Sequence, residues 1–536
     1  MPLNEMVKVE IPAHCVKVPC GGKIYIQYTK RSYRNAKGQP TNERVAIGRY
    51  DEKTGKLIPN RNYYEIFEKK EPESMPQVVK RIGTRAVFGA ILKKLGLDEI
   101  VAENFGNKTE ELVTGAHYMM CEGNVMNYIE DWLDENISFN QKKLTDSDMS
   151  RLFSEIEENE KLSFFREWMK KRNGKEYIAY DVTSVSTYGK GIGIAEWGYN
   201  RDKEKLPQIN LGMFCGEESK LPLYYRIYPG SIPDKAHLKY MTDDTGLLAV
   251  QNLRYVMDRG FYSADNLRFL TEKGIRFIIA LPGSLNYVKE IIDRHGKELV
   301  NHSEYDLGAG KPYGTSYEST ELGFRMKIHL YYDPIKAAQD NESLRNEILR
   351  MEDALSRMEE PPDRKLHYDR YFFINRSKEG KLGFIRNTNA INEAMTRNGF
   401  FLIAETDFKK TTAEILDLYR RRDVIEKSFD DLKNGLDMHR FYVHCEKTAD
   451  GKLFTAFLAL IVRSYILNHL QDYMDRNKFS FEKIVLEFNK IKLIFSPDSP
   501  AHSRLLNPIS SSLKEILSLL DLNEDIFEVC YNSLGI

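Results

Sequence analysis

The chain has 536 residues, 42% hydrophobic and 29% charged, a globular composition with ample length for a large core. Its 78 Lys and Arg against 79 Asp and Glu leave a net charge of −1, which excludes a uniformly basic nucleic-acid binder and a strongly acidic disordered chain. The charge is uneven, however: from Lys23 to Arg61 ten Lys and Arg face three acids, a local +7 that leaves −8 for the rest. Six scattered cysteines and an opening MPLNEMVKVEIP without a basic-then-apolar leader pattern suit a reducing cytoplasm.

In chain order, residues 1–72 read as a small basic β module, because KIYIQYTK alternates and Gly, Pro and Asn turn signals follow. Tyr25, Tyr28, Tyr33 and Tyr50 lie among its cations, a mixture that suits either phosphate contact with base stacking or a solvated hairpin face. Residues 73–172 show helical spacing, with Thr145 or Ser147 as an N-cap, and form a helical domain that could bind DNA or pack. From 173 to 284 the pattern turns to strands: YIAYDVTS, LPQINLGMFC and LPLYYRIYPG in quick succession, then LRYVMD and RFIIALP separated by helices. The order β-β-β-α-β-α-β predicts an antiparallel meander followed by parallel crossovers, an α/β mixed sheet. Residues 285–398 interrupt it as a β-rich insertion with one amphipathic helix through Leu344, Ile348, Met351, Leu355 and Met358. GFFLIAE then returns a strand in 399–470, and 471–536 reads as a helical C-terminal region. The apolar stretch Leu453–Leu470 is interrupted by polar residues and reads as a buried core helix, so no membrane partner is expected.

Three acids stand out. Asp181 lies mid-strand, where an acid is costly to bury unless paired or metal-bound. Asp258 ends an apolar strand, the place where ligands bind in open α/β sheets. Glu426 sits in YRRRDVIEKSFDDLK; at about 100° per residue Tyr419, Arg422, Glu426 and Lys433 form one polar stripe about 60° wide. A carboxylate to hold a cation and Arg and Lys to hold phosphate oxygens suit phosphoryl chemistry, although a solvated face with internal ion pairs accounts for the same stripe. Asp423, Asp430 and Asp431 are competing acids nearby, and Lys203 and Lys205 are surface cations after the GKGIG turn (Gly189–Gly193), which lacks the spacing of a phosphate loop. Three acids on two strands and a helix could hold two Mg²⁺ ions roughly 3.5–4 Å apart for an in-line displacement.

With these residues in view, the chain resembles bacterial insertion-sequence transposases of the DDE type, whose catalytic core is ribonuclease H-like. Tyr419, Arg422, Glu426 and Lys433 match the Y-(2)-R-(3)-E-(6)-K signature without a gap, and YDVTS and VMDRGFYS supply Asp181 and Asp258. The resemblance implies that Asp181, Asp258 and Glu426 are the catalytic, metal-binding triad for Mg²⁺ or Mn²⁺. It implies that Arg422 and Lys433 contact phosphates of the transposon end, and that Tyr419 binds near the terminal 5′-phosphate. The implied activity is Mg-dependent cleavage of double-stranded DNA at terminal inverted repeats and joining to target DNA by cut-and-paste, by a homodimer on DNA. A catalytically idle DNA-binding derivative of the same fold is the alternative. Some relatives stack a Trp of the insertion on a flipped base; here Trp132, Trp168 and Trp197 all precede the insertion, leaving Tyr287, Phe372 and Phe373 as stacking candidates.

Overall fold

The structure, a computed structural model, describes residues 7–34, 39–68, 78–140, 142–172, 176–189, 191–198, 204–247, 252–300, 302–358, 365–376, 382–496 and 499–534. It contains two compact units, one of Met1–Ala90, Glu130–Gln141 and Asp472–Ile536, the other of Ile91–Ile129 and Lys142–Gln471.

In the first unit, β1 (Cys15–Cys20), β2 (Lys23–Arg34), β3 (Pro40–Asp51) and β4 (Lys56–Pro59) form an antiparallel meander in that order. Ile26, Ile47, Leu57, Tyr63 and Tyr64 make its core, with Tyr28 and Tyr50 packed against them. Lys30, Arg31, Arg34 and Arg44 are exposed on the β2–β3 hairpin, and of the interleaved tyrosines only Tyr33 is exposed among them. The cations therefore face solvent, where a polyanion can reach them, but most of the rings serve the core. A second sheet pairs β5 (Val78–Arg81) with Lys492–Ser496, which pairs in turn with Ser499–Leu506. The sequence pattern predicts helices on both sides of this pairing. Helices do follow at Ser511–Leu519 and Asp525–Asn532, but the apolar run Leu493–Phe495 is a strand because β5 supplies a partner that no local pattern reveals.

The second unit is built on an eight-stranded sheet. Its strands are β6 (Ile178–Ser186), β7 (Gln208–Gly216), β8 (Pro222–Pro229), β9 (Arg254–Met257), β10 (Arg276–Leu281), β11 (Tyr313–Ser319) and β12 (Met326–Tyr332). A separate hairpin, β13 (Phe372–Arg376) and β14 (Leu382–Arg386), precedes β15 (Phe400–Glu405), the eighth strand. The order is β11-β12-β15-β10-β9-β6-β7-β8. β6, β9 and β10 run parallel and every other neighbouring pair is antiparallel. Helices Asp234–Leu247 and Ala264–Glu272 make the crossovers, so the β-β-β-α-β-α-β order read from the sequence is the order of elements along the chain, while in the sheet β9 lies beside β6.

The segment read as an insertion has two parts. Helix Pro334–Ser356 buries Leu344, Ile348, Met351 and Leu355 against Tyr371 and Phe372 of the β13–β14 hairpin, a small core of its own. β11 and β12 instead extend the main sheet through β15. In the helical part Thr145 is the N-cap of Asp146–Glu155, closed by a capping box with Asp148. Helix Glu446–Asn477 is long and apolar enough to cross a membrane, but 83% of its most apolar window is buried inside the structure, as a core helix requires.

Candidate active site

Strand register builds the site. β6 and β9 pair Ala179 with Val256 and Tyr180 with Met257, so Asp181 and Asp258 come next to each other on neighbouring parallel strands. Asp258 keeps extended backbone (φ −77°, ψ 161°) as the chain leaves the sheet, so it stays on the face that also carries Asp181 and Val256. β6 is buried on both faces, and Asp181 with it, at 7% exposure.

Two short helices cover that face. Thr412–Arg420 packs Ile415, Leu416 and Leu418 on Val256, Ile278, Ile403 and Tyr331. Asp423–Asp430 lies on β6 and β7, where the Cys215 thiol donates to Ser428 Oγ at 3.5 Å. The spacing read from the sequence treats 419–433 as one straight helix. The structure breaks it at Arg421–Arg422, where the N–H groups of Arg422, Val424 and Ile425 donate to carbonyls three residues back, and then loosens it into a π-helical turn at Asp431–Gly435. Tyr419 thus ends one helix, Arg422 caps the next, and Lys433 sits in the π turn.

The break turns Arg422 inward. Its guanidinium is 3.4 Å from Asp258 Oδ1 and 3.2 Å from Glu426 Oε1, bridging the two carboxylates, with its side chain 17% exposed. It also lies over the Tyr419 ring, 5.2 Å from the centroid. Tyr419 Oη donates to Asp258 Oδ1 at 3.0 Å, and burial holds this phenol protonated well above its ordinary range. Four of the six residues named from the sequence therefore form one contact network, and Asp181 joins through strand register. Lys433 lies further on, in the π turn, where its carbonyl accepts from His439 Nδ1 at 3.4 Å.

Among the described residues no three acidic, His or Cys side chains are arranged to hold a metal ion. The donor set nevertheless suits one: Asp258 and Glu426 converge on a single cationic group, and Asp181 stands on the adjoining strand. The competing acids are committed elsewhere. Asp423 pairs with Lys427 at 3.0 Å, Asp430 accepts from Asn434 at 2.7 Å, and Asp431 pairs with Arg463 at 3.2 Å. Of the stacking candidates, Phe372 is buried in the insertion core, Tyr287 donates to Tyr262 Oη at 3.0 Å, and Phe373 is 57% exposed and able to meet a base. Lys203 lies outside the described residues. Gly189 and Gly191 of the GKGIG turn pack on the chain at Val443–His444, where a Cβ would come within 2.8 Å and 2.4 Å of carbonyl oxygens; the glycines serve that close approach.

Arg259 was overlooked in the sequence. It follows Asp258 directly, it is exposed, and its charge acts on Tyr419. Its position beside a strand-end acid was the available signal. A cavity of about 760 Å³ lies along β8 and is lined by none of the signature residues, whereas a cavity of about 470 Å³ includes Arg259.

Comparison with known families matches residues 172–462 to the family described as "Transposase DDE domain". No curated protein matches the chain. Among solved structures it is similar to a piggyBac transposase synaptic complex with hairpin DNA, at 9% identity over 82% of this chain and 75% of that one, with a TM-score of 0.33.

Proposed function

The chain belongs to the transposase DDE-domain family, and on that premise we propose that it cuts DNA at the terminal inverted repeats of its own element and joins the ends to target DNA by cut-and-paste. The observation that carries this reading is the convergence of Asp258, Tyr419, Arg422 and Glu426, from two distant parts of the sequence, beside Asp181. The sheet order β8-β7-β6-β9-β10, antiparallel on one side of β6 and parallel on the other, is the one expected of a ribonuclease H-like core and supports the same reading.

Asp181, Asp258 and Glu426 would hold Mg²⁺ or Mn²⁺, as a pair of ions in the family manner, and the bound metal supplies charge neutralisation at the scissile phosphate and an activated oxygen nucleophile. Asp181 is fixed by strand pairing and Asp258 stands directly after a paired strand, so they would position the phosphate relative to the sheet. Arg422 offers a planar fork of donors suited to phosphate oxygens, and its contacts with Asp258 and Glu426 orient both carboxylates. Tyr419, a neutral donor at working pH, holds one oxygen of Asp258, and by the family resemblance it would bind near the terminal 5′-phosphate. Lys433 supplies a further cation for the DNA backbone. Two ends must be held together, so the working form is a homodimer on DNA.

The test is incubation of the protein with Mg²⁺ and a duplex carrying the element's ends, resolved on a denaturing gel. Specific nicking at the terminus is expected, and Glu426→Gln should abolish it while leaving binding by mobility shift intact. Binding without cleavage by the wild-type protein would favour the idle DNA-binding derivative, and cleavage by Glu426→Gln would refute the role of that carboxylate.

A further inference from the structure

Arg420, Arg421 and Arg422 are consecutive, and each reaches a different partner. Arg420 donates to the Gly310 carbonyl at 3.4 Å, Arg421 donates to Glu217 Oε1 at 2.7 Å, and Arg422 bridges Asp258 and Glu426. Of these partners only Asp258 and Glu426 belong to the candidate active site. Glu217 directly follows β7, its N–H donates to the Tyr177 carbonyl at 2.8 Å, and it is 3% exposed.

Ile178 pairs with Gly216 on one side and with Tyr255 on the other, so Glu217 lies at the entry of β6. Asp258 stands three residues beyond Tyr255, about 10 Å further along the strand direction. Adjacent residues of the helix break thus extend to acids at different levels of the sheet, Arg421 to the entry of the parallel strands and Arg422 to their exit. An uninterrupted α-helix bonds each amide four residues back, whereas Arg422, Val424 and Ile425 bond three back, a tighter turn with poorer hydrogen-bond geometry. Burial of Ile415, Leu416 and Leu418 before the break, and of Val424, Ile425 and Phe429 after it, holds each helix on the sheet. It leaves Arg421 and Arg422, between them, to be placed by their side chains.

A carboxylate is disfavoured where Glu217 stands. Burial pushes its carboxyl above the usual range, Glu176 and Glu218 add to that, and the Arg421 guanidinium pulls the other way. Glu176 is itself committed to the turn after β7, accepting from the N–H groups of Glu218 and Ser219 at 2.9 Å and 2.6 Å. Among the described residues Arg421 is the one cation paired with Glu217. An apolar side chain of similar size would serve the fold at least as well, since a buried carboxylate offsets its desolvation only through its partner. What an apolar side chain cannot do is hold Arg421.

We propose that Glu217 and Arg421 are positioning residues, whose ion pair sets the helix break so that Arg422 meets Asp258 and Glu426. The proposal rests on the reading of those carboxylates as the site of DNA cleavage, and adds a tether outside that site which acts on it through Arg422.

The experiment compares the full-length wild type with Glu217→Met, which keeps the volume and removes the charge. Hydrogen exchange read by mass spectrometry on peptides spanning 417–428 is expected to quicken by about tenfold in the variant, with β6 and β9 unchanged and the thermal melt no lower than wild type. Single-turnover cleavage of a duplex carrying the element's end, with Mg²⁺, should slow by about tenfold while duplex affinity stays within about twofold. In an Arg422→Lys background the same substitution should slow cleavage by less than about twofold more, because the residue it positions is already altered. Unchanged exchange at 417–428 would overturn the proposal, and so would an equal slowing in the wild-type and Arg422→Lys backgrounds, which would mark a general structural role. Should Glu217→Met fail to fold, Arg421→Gln, at a side chain 57% exposed, carries the same readings. Failure of the transposase reading looks different: the wild-type protein would not cut the duplex, and the exchange rates would still decide whether the pair holds the break.

Discussion

Arg422 is where charge and geometry meet most closely. A guanidinium contacts Asp258 and Glu426 from two separate nitrogens because its donors fan out in a plane; an ammonium carries its three donors on one nitrogen, so both carboxylates would have to close on a single point. Arg422→Lys is therefore expected to keep DNA affinity within a fewfold yet slow cleavage by about tenfold or more, equivalent to about 1.4 kcal/mol of barrier. Single-turnover cleavage kinetics would check this, and a wild-type rate would show that the bridge is dispensable. A second residue makes a prediction about pH. Lys452 is buried and donates to the Phe441 carbonyl at 2.8 Å, and burial depresses its pKa to about 7 against the smaller opposing pull of Asp437. In the unfolded chain an ordinary lysine titrates near 10.4, so between about pH 7 and 10 the unfolded state binds a proton that the folded state lacks. Stability should thus rise with pH across that window, and the charged-lysine penalty should be fully present below it. Lys452→Met removes this term. The wild type should gain on the variant, in denaturant midpoint, between about pH 6 and about pH 9; a constant gap would show that Lys452 is not the source.

At the scale of elements, the sheet was largely legible and its partners were not. β6 to β10 are apolar runs bounded by Gly, Pro or charge, and their order alone implied which neighbours are parallel. Nothing local in RMKIHLYYD says that β12 will pair with β15 and so belong to the main sheet, because edge pairing is chosen by the sheet already formed. The carboxylates were legible for the same reason as the sheet: Asp181 and Asp258 interrupt or end apolar strands. Of the stripe of Tyr419, Arg422, Glu426 and Lys433, the first three share one contact network with Asp258, but they do so from two helices and not from one straight one. The first helix lies over β9, β10 and β11 and the second over β6 and β7, and a twisted sheet does not let one straight helix follow both. Helix packing also makes a sharp prediction at Gly451 of helix Glu446–Asn477. A Cβ there would come within 2.0 Å of the Phe153 carbonyl oxygen. Alanine would help an isolated helix by about 1 kcal/mol, but overpacking against backbone costs roughly 1–3 kcal/mol, so the clash should win. Gly451→Ala is expected to lower the denaturant midpoint, and an unchanged or raised midpoint would show that the two helices can part at little cost.

For the molecule as a whole, a net charge of −1 conceals a division of labour. The exposed Lys30, Arg31, Arg34 and Arg44 of the first unit can meet a polyanion, while the second unit keeps its acids for ion pairs and for the carboxylate site. Salt sensitivity should follow the local patches and ignore the total. Replacing those four residues with Gln should flatten the dependence of duplex affinity on salt, by up to about 0.9 in log–log slope for each phosphate no longer neutralised. Affinity and slope both unchanged in a fluorescence-anisotropy titration would remove the β2–β3 hairpin from the DNA-binding surface.

The pairing of Tyr332 with Phe400 at the end of β12 and the start of β15 has a further consequence. Opposed residues in an antiparallel pair are about 5 Å apart, the distance a tight hairpin turn spans. Residues 333–399, with their own helices, hairpin and apolar core, therefore leave and re-enter the sheet at a single point, as an overgrown loop does. The eight-stranded sheet has no need of them for its strand order. A lineage could gain, enlarge or exchange this segment without disturbing the carboxylates, and in doing so would replace part of the lining of the cavity that includes Arg259 while the rest stayed in place.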